Sequence, residues 1–368
     1  MDAGLIWEWI IKSLVLVFTL LIGFGYLTYY ERRFLAFLQS RLGPNRAGPQ
    51  GLMQWIADAI KLIFKEELTP ANAYKLVFFL APVVTMAPSI VIAAVIPWGP
   101  PVTLFGHTFN QYIADINVGV LYLMSVASIA VYGIVLAGWS SNNKYAMMGG
   151  LRSSAQMISY ELALALSMVA AILLGNSMSL VDIVEAQRGG WFVLVQPVGA
   201  LIFWVATVAE VNRHPFDMPE AEQEIVAGYH TEYSGMKFAL FFMAEYQKMI
   251  VVSAILATLF LGGYLGPGVD RFPWLGPLYM FIKIFILLGI MIWVRASWPR
   301  IRYDRLMAFG WKVLLPLSLA VVFITAVGIL LAQEVNPWLL WLTPVLSLAA
   351  GYFASLMVDN AIRRKNYA

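Results

Sequence analysis

Ionisable side chains buried in long apolar stretches are the residues of this chain whose chemistry most needs an account. Glu161 lies in Ser159-Tyr160-Glu161-Leu162, and Glu210 closes an apolar run that starts near residue 191. Glu245 and Lys248 sit in the next run, Lys283 in the one after it, and Glu31 closes the first. A charge at the centre of a bilayer costs ~2.5–3.5 kcal/mol even on the lenient insertion scale, so such groups face a hydrated interior or one another. Carboxylates held this way exchange protons, and their proton affinity is set by their surroundings. Hydroxyls at Ser128, Tyr132, Ser159, Tyr160 and Tyr246 would extend the links through water. Glu245 and Lys248 stand at i,i+3, which suits a local ion pair equally well.

A second acidic group lies between runs, in a segment spanning roughly 212–236. It reads Asn212-Arg213-His214-Pro215-Phe216-Asp217-Met218-Pro219-Glu220-Ala221-Glu222-Gln223-Glu224. In an extended segment Glu220, Glu222 and Glu224 point the same way; on a helix Glu222 points opposite the other two. Crowded carboxylates repel, so at least one holds its proton more tightly than a free glutamate does. The same string also suits a plain solvated loop.

Composition sets the elements that must hold these groups. Of 368 residues, 61% are apolar and 12% charged, against ~25% charged in soluble proteins. Mean hydropathy is +0.75. This excludes a water-soluble enzyme and a disordered chain, and a net charge of +3 spread over short loops excludes a nucleic-acid binder. A membrane helix needs ~20 mostly apolar residues. Such stretches run roughly 5–30, 74–97, 117–139, 154–175, 191–211, 238–264, 277–297, 311–333 and 337–358. The expected fold is all-α: one integral membrane domain over 1–368 with about nine transmembrane helices. Arg32, Arg33, Arg41, Arg46, Lys61 and Lys65 share one side with Arg152, Arg213, Arg295, Lys312 and Arg363, while the opposite loops hold only Arg188 and Arg271. The positive-inside rule then puts the N-terminus outside and the C-terminus in the cytoplasm.

Residues 31–73 form a large cytoplasmic loop on this reading. Gly43-Pro44-Asn45-Arg46-Ala47-Gly48-Pro49 is turn-rich. Over about 52–65, Leu52, Trp55, Ile56, Ala59, Ile60, Ile63 and Phe64 recur at helical spacing, opposite Gln54, Asp58, Lys61 and Lys65. This predicts an amphipathic helix lying along the interface; a plain surface anchor would look the same. Cysteine is absent, which excludes disulfides, a thiol nucleophile and an iron–sulfur cluster ligated by this chain. His107, His214 and His230 lack metal-ligand spacing, and there is no dinucleotide or Walker A glycine pattern. A redox centre would have to sit on another subunit.

Several strings carry a specific resemblance. They are Glu31-Arg32-Arg33, Arg41-Leu42-Gly43-Pro44-Asn45-Arg46, Ala57-Asp58-Ala59-Ile60-Lys61, Gly138-Trp139-Ser140-Ser141-Asn142-Asn143-Lys144-Tyr145 and Ser159-Tyr160-Glu161. The longest runs from Ala209-Glu210 through Pro215-Phe216-Asp217-Met218-Pro219-Glu220 to Gly228-Tyr229-His230-Thr231-Glu232-Tyr233-Ser234-Gly235. From about residue 12 to about 312 the chain resembles the H-type subunit family of NADH-quinone oxidoreductase, subunit 1 of respiratory complex I. The resemblance implies a membrane-arm heel subunit in a prokaryotic cytoplasmic (inner) membrane. It would help to form a tunnel for a substrate quinone, ubiquinone or menaquinone, and couple quinone reduction to proton translocation. Iron–sulfur clusters and flavin would lie on partner subunits. The partners implied are the hydrophilic quinone-site subunits and small neighbouring membrane subunits.

Carried over by the resemblance, the quinone-tunnel candidates are Glu31, Arg32, Arg41, Trp55, Asp58, Phe64 and Phe216. The proton-path candidates are Glu161, Glu210, Asp217, Glu220, Glu222, Glu224, Glu245 and Lys283. Some relatives carry a glutamate where this chain has Ser128, so the chain of charges would be shorter here or bridged by water. The membrane subunit of an energy-converting hydrogenase shares this architecture without a quinone. A secondary proton-coupled transporter would use the same acids but show internal repeats, of which none is clear. A simple membrane anchor would have no use for so many charges at lipid depth.

Overall fold

The computed structural model describes residues 3–104, 107–218 and 226–366. Its elements run α1 (Ala3–Leu38), α2 (Gln54–Ile63), α3 (Lys75–Ala93), a two-stranded hairpin β1 (Val102–Leu104) and β2 (His107–Phe109), α4 (Gly119–Ser140) and α5 (Lys144–Gly175). They continue with α6 (Leu180–Ala186), α7 (Phe192–Val195), α8 (Pro197–Glu210), α9 (Gly235–Phe260), α10 (Leu275–Ser297), α11 (Tyr303–Glu334) and α12 (Leu342–Asn366). Among the described residues, 8 helices are long and apolar enough to cross a membrane. That is one fewer than the nine expected, and a small antiparallel hairpin, which pairs Val102 with Phe109, departs from the expected all-α fold.

Three boundaries differ from the sequence reading. The first helix does not stop near residue 30 but continues to Leu38, so Glu31, Arg32 and Arg33 are helical. The fourth begins at Lys144, where the Asn143 side chain caps it by accepting from the Tyr145 N–H at 2.9 Å. The fifth expected span is broken: α7 ends at Val195, and Pro197, which has no N–H to donate, opens α8. The Thr343 hydroxyl oxygen lies 3.0 Å from the Val195 carbonyl and 2.7 Å from that of Leu340, and Gln196 donates to Thr325 Oγ1 at 2.6 Å. Partners from neighbouring helices are what permit such a break at membrane depth.

With 14 residues, α8 is only ~21 Å long, short of the ~30 Å hydrocarbon thickness. It sits in the middle of the bundle, where Phe203, Ala206, Val208 and Ala209 join the central core with Leu164 of α5 and Phe260 of α9. The outward faces of α1 and α10 present large apolar side chains such as Phe18, Val15, Phe281 and Trp293. Lipid drives no such sorting by hydrophobicity, so close packing of small residues decides which helices touch. A Cβ at Gly133 of α4 would stand 2.7 Å from the Thr85 nitrogen and 2.9 Å from the Ala81 oxygen of α3. One at Gly138 would stand 2.7 Å from the Ala146 oxygen of α5.

The end of the bundle away from α2 is laced by polar contacts. Arg188 pairs with Glu185 and, at 2.9 Å, with Asp270, and the Tyr264 hydroxyl donates to Glu185 at 2.8 Å. The Arg188 guanidinium holds the Glu185 carboxyl below its usual range. Gly133→Ala should lower the thermal unfolding midpoint in detergent by several degrees, consistent with the ~1–3 kcal/mol of overpacking. Gly189→Ala, with nothing within 4 Å of the added carbon, should not. Equal midpoints would remove the close α3–α4 approach as a determinant of the bundle.

Candidate functional site

Because α1 runs past residue 30, it carries Glu31 into the protein instead of leaving it at the interface. Glu31 is 2% exposed. Its Oε1 meets Arg213 Nη1 at 3.1 Å and also pairs with Arg295 on the last turn of α10. Arg213 follows α8 and reaches on to Glu245 of α9, with Nε 2.5 Å from Oε1. The same guanidinium lies 4.3 Å from the centre of the Tyr246 ring. One arginine thus joins carboxylates from two helices, and a second arginine balances the group. Burying such charges singly would be costly; paired, their mutual attraction offsets the lost hydration.

The local pair weighed for Glu245 and Lys248 does not form. Lys248 turns to α8 instead, with Nζ 2.8 Å from Glu210 Oε1 and 3.3 Å from the Glu210 carbonyl. Glu245 and Lys248 therefore serve two different partners on the α8 side. Glu161 on α5 accepts a hydrogen bond from Ser128 of α4, and feels the charges of Glu210 and Lys248. Ser128 thus touches the acid directly.

Two adjoining cavities run along this seam. One is bordered by Tyr229, His230, Glu245, Glu210 and Lys248. The other is bordered by Glu210, Lys248, Thr207, Ser89, Met124 and Leu164. The Glu210–Lys248 pair borders both. The first is ringed by ionisable and polar groups, while the second is mostly aliphatic beyond the pair.

The segment after α8 is tied down by a residue that periodicity did not single out. Gln156 of α5 donates to the carbonyls of Ala209 and Phe216, both at 2.8 Å. This brings Asp217 beside His214, Oδ2 to Nδ1 3.0 Å. Phe216 is buried against Tyr160, ring centres 5.6 Å apart. It is part of the central core of this chain. Glu220, Glu222 and Glu224 lie outside the described residues.

Of the remaining tunnel candidates, Arg32, Trp55 and Asp58 meet where α2 packs on α1. Arg32 Nη1 and Asp58 Oδ2 are 2.6 Å apart, and Gln54 donates to the other Asp58 oxygen at 3.1 Å. Trp55 packs against α1, where only a glycine at position 25 leaves room, since a Cβ there would stand 3.0 Å from the indole. Phe64 is 84% exposed at the end of α2. Arg41 is exposed and donates to Gln39 at 2.7 Å, apart from the Arg32–Asp58 pair. Lys283 is also separate from the seam: Nζ donates to the carbonyls of Leu261, Gly263 and Leu265 at 2.7, 2.7 and 2.8 Å. An ammonium bonded to three carbonyls also ties down the turn after α9. Arg213, Arg295 and Gln156 were missed as site residues. The signal for the two arginines was present, since each buried carboxylate requires a cation and both lie within a few residues of an apolar run.

Burial pushes the His230 imidazole down to about 4, against the opposing charge of Asp217. Below its ordinary 6.5 the unfolded chain takes up the proton first. The loop's full stability is therefore present above that value and falls as pH drops toward 4. The loss of thermal midpoint between pH 7 and pH 5 should be smaller in His230→Gln than in the native chain, followed by tryptophan fluorescence in detergent; identical losses would show that the imidazole is not buried.

The sequence matches the NADH dehydrogenase family over residues 11–326. It is 49% identical over 333 residues to an H-type subunit of NADH-quinone oxidoreductase from Syntrophobacter fumaroxidans, covering 90% of this chain and 96% of that protein. It is 49% identical over 314 residues to an H-type subunit from Geobacter sulfurreducens, covering 85% and 94%. With the H-type subunit of Thermomicrobium roseum it shares 50% identity over 327 residues, again 85% and 94%. With the helical bundle, the acids inside it and these matches all in agreement, the chain belongs to the H-type subunit family of NADH-quinone oxidoreductases.

Proposed function

We propose that this chain is a membrane-arm subunit of a proton-translocating NADH-quinone oxidoreductase in a prokaryotic cytoplasmic membrane. On this reading it borders the quinone chamber and passes the effect of quinone reduction to carboxylates inside the bundle. The single observation that carries the reading is the continuous seam of ionisable groups. It runs from Glu31, Arg213 and Glu245 to the Glu210–Lys248 pair, whose charges reach Glu161, and Glu245, Glu210 and Lys248 border a cavity. A membrane anchor has no need of such a seam at lipid depth.

The chemistry follows from charge. Reducing a quinone to a quinol consumes two electrons and two protons, and those protons leave charged groups behind. Glu31 and Glu245 share Arg213. A change at either end alters the field at the other, because the guanidinium cannot approach one carboxylate more closely without loosening from its partner. Lys248, bonded to Glu210, stands one turn further along α9. Asp217, Glu220, Glu222 and Glu224 would receive the change from the quinone side. The α1–α2 junction, with the Arg32–Asp58 pair and the apolar face of α2, suits the entrance for a long-tailed quinone whose polar head meets the ion pair. Iron–sulfur clusters and flavin belong on the hydrophilic partner subunits, and this chain, without cysteine, contributes position and proton chemistry.

The reading places the α2 end of the bundle, with the C-terminus, in the cytoplasm and the N-terminus outside, because nearly all loop cations lie at that end. The absence of cysteine makes single-cysteine reporters clean. An impermeant maleimide added to whole cells should label Gly189→Cys and not Gln39→Cys; the reverse pattern inverts the topology. In the whole complex reconstituted in vesicles, Glu161→Gln and Glu245→Gln should each cut NADH-driven proton translocation by about tenfold or more, the scale of one lost charge-assisted interaction. Full pumping and full quinone reduction in both variants would sink the proposal. A photoreactive quinone analogue should label residues within 31–65, and exclusive labelling elsewhere would remove the α1–α2 junction from the entrance.

A further inference from the structure

Among the described residues, Ser128 is the hydroxyl that Glu161 touches, and it has a conflict to resolve. Its oxygen lies 2.9 Å from the Met124 carbonyl one turn back on α4, and the same oxygen hydrogen-bonds Glu161 Oε1. A serine hydroxyl carries one hydrogen and can also accept. It can donate to Met124 or to Glu161, not to both. The protonation state of Glu161 decides which. An ionised carboxylate can only accept, and a hydrogen bond to a charge is the stronger one, so the hydroxyl then points at Glu161. A protonated carboxyl donates its own O–H to the Ser128 oxygen, and the serine hydrogen turns back to the Met124 carbonyl.

We propose that Ser128 is a hydroxyl switch that follows the proton on Glu161 and acts as a positioning residue for proton transfer. The proposal rests on reading Glu161 as a proton carrier. One proton arrives on the carboxylate and the same number leaves it; Ser128 keeps its own hydrogen throughout and only rotates about its Cβ–Oγ bond. The carboxyl is therefore held against α4 in both states without movement of heavy atoms. This matters because the charges that reach Glu161 are Glu210 on α8 and Lys248 on α9. Lys248 already pairs with Glu210 at 2.8 Å. A Glu161 released from Ser128 loses the hydrogen bond that holds its carboxyl against α4.

The test uses the whole complex in vesicles, with proton translocation measured beside infrared difference spectra between the oxidised and NADH-reduced states. Glu161→Gln identifies the carboxyl band of Glu161 by its disappearance. In Ser128→Ala that band should move to the position of a carboxyl without a hydrogen-bonded hydroxyl, and translocation should fall by about tenfold, the worth of one hydrogen bond to a charged group. Ser128→Thr keeps the hydroxyl and should restore both. An unmoved band in Ser128→Ala overturns the switch whatever the turnover does, and a moved band with native turnover overturns its role in transfer. If Glu161→Gln itself pumps fully, the failure belongs to the proposed function; if Glu161→Gln is impaired while Ser128→Ala matches the native chain in both readouts, only the switch fails.

Discussion

Hydrocarbon offers no partner to a charge or to a free carbonyl, and every arrangement described above answers to that constraint. Glu31, Glu210 and Glu245 each meet a cation from another part of the bundle, Lys283 fills a ring of three carbonyls, and the break before Pro197 is covered by Thr343. In water these contacts would contribute little, since solvent would serve every group equally well. At lipid depth, leaving any of these groups without its partner would be costly. The charges are therefore both the candidate functional groups and part of what fixes the bundle, and a substitution at one of them touches both.

The seam is built on the least regular parts of the chain. The short α8 delivers Glu210 at its C-terminal end, with Arg213 just beyond, and Gln156 pins the following turn by its Ala209 and Phe216 carbonyls. On α11 a short π-helical segment, Gly310–Leu314, lies against Tyr160, the residue before Glu161. Such local unwinding commonly marks places where a helix must accommodate a functional neighbour.

Specificity of pairing is the second consequence. Glu245 and Lys248 are close enough in sequence to satisfy one another, yet each is claimed by a residue on or after α8. Helix packing sets this, because it brings Arg213 to Glu245 and Glu210 to Lys248. The result couples α9 to α8 through two separate bonds rather than closing the charges into one inert local pair.

What the amino-acid sequence by itself determined was the class of solvent and the presence of the chemistry. Apolar runs of membrane length, the amphipathic period over Gln54–Ile63 and the acids within the runs follow from one-dimensional pattern, since 3.6-residue periodicity and hydropathy are local properties. The resemblance pointed to Glu161, Glu210, Glu245 and Asp58, and the fold gives each of them a polar partner. Only the tertiary structure decided who pairs with whom: that Arg213 joins Glu31 to Glu245, that Lys248 serves Glu210, that Ser128 meets Glu161, and that Lys283 is spoken for by carbonyls. The physical reason is range. A side chain's period is written in its own helix, but the partner of a buried charge is chosen by which helices pack together, and that is settled by shape across hundreds of residues of chain.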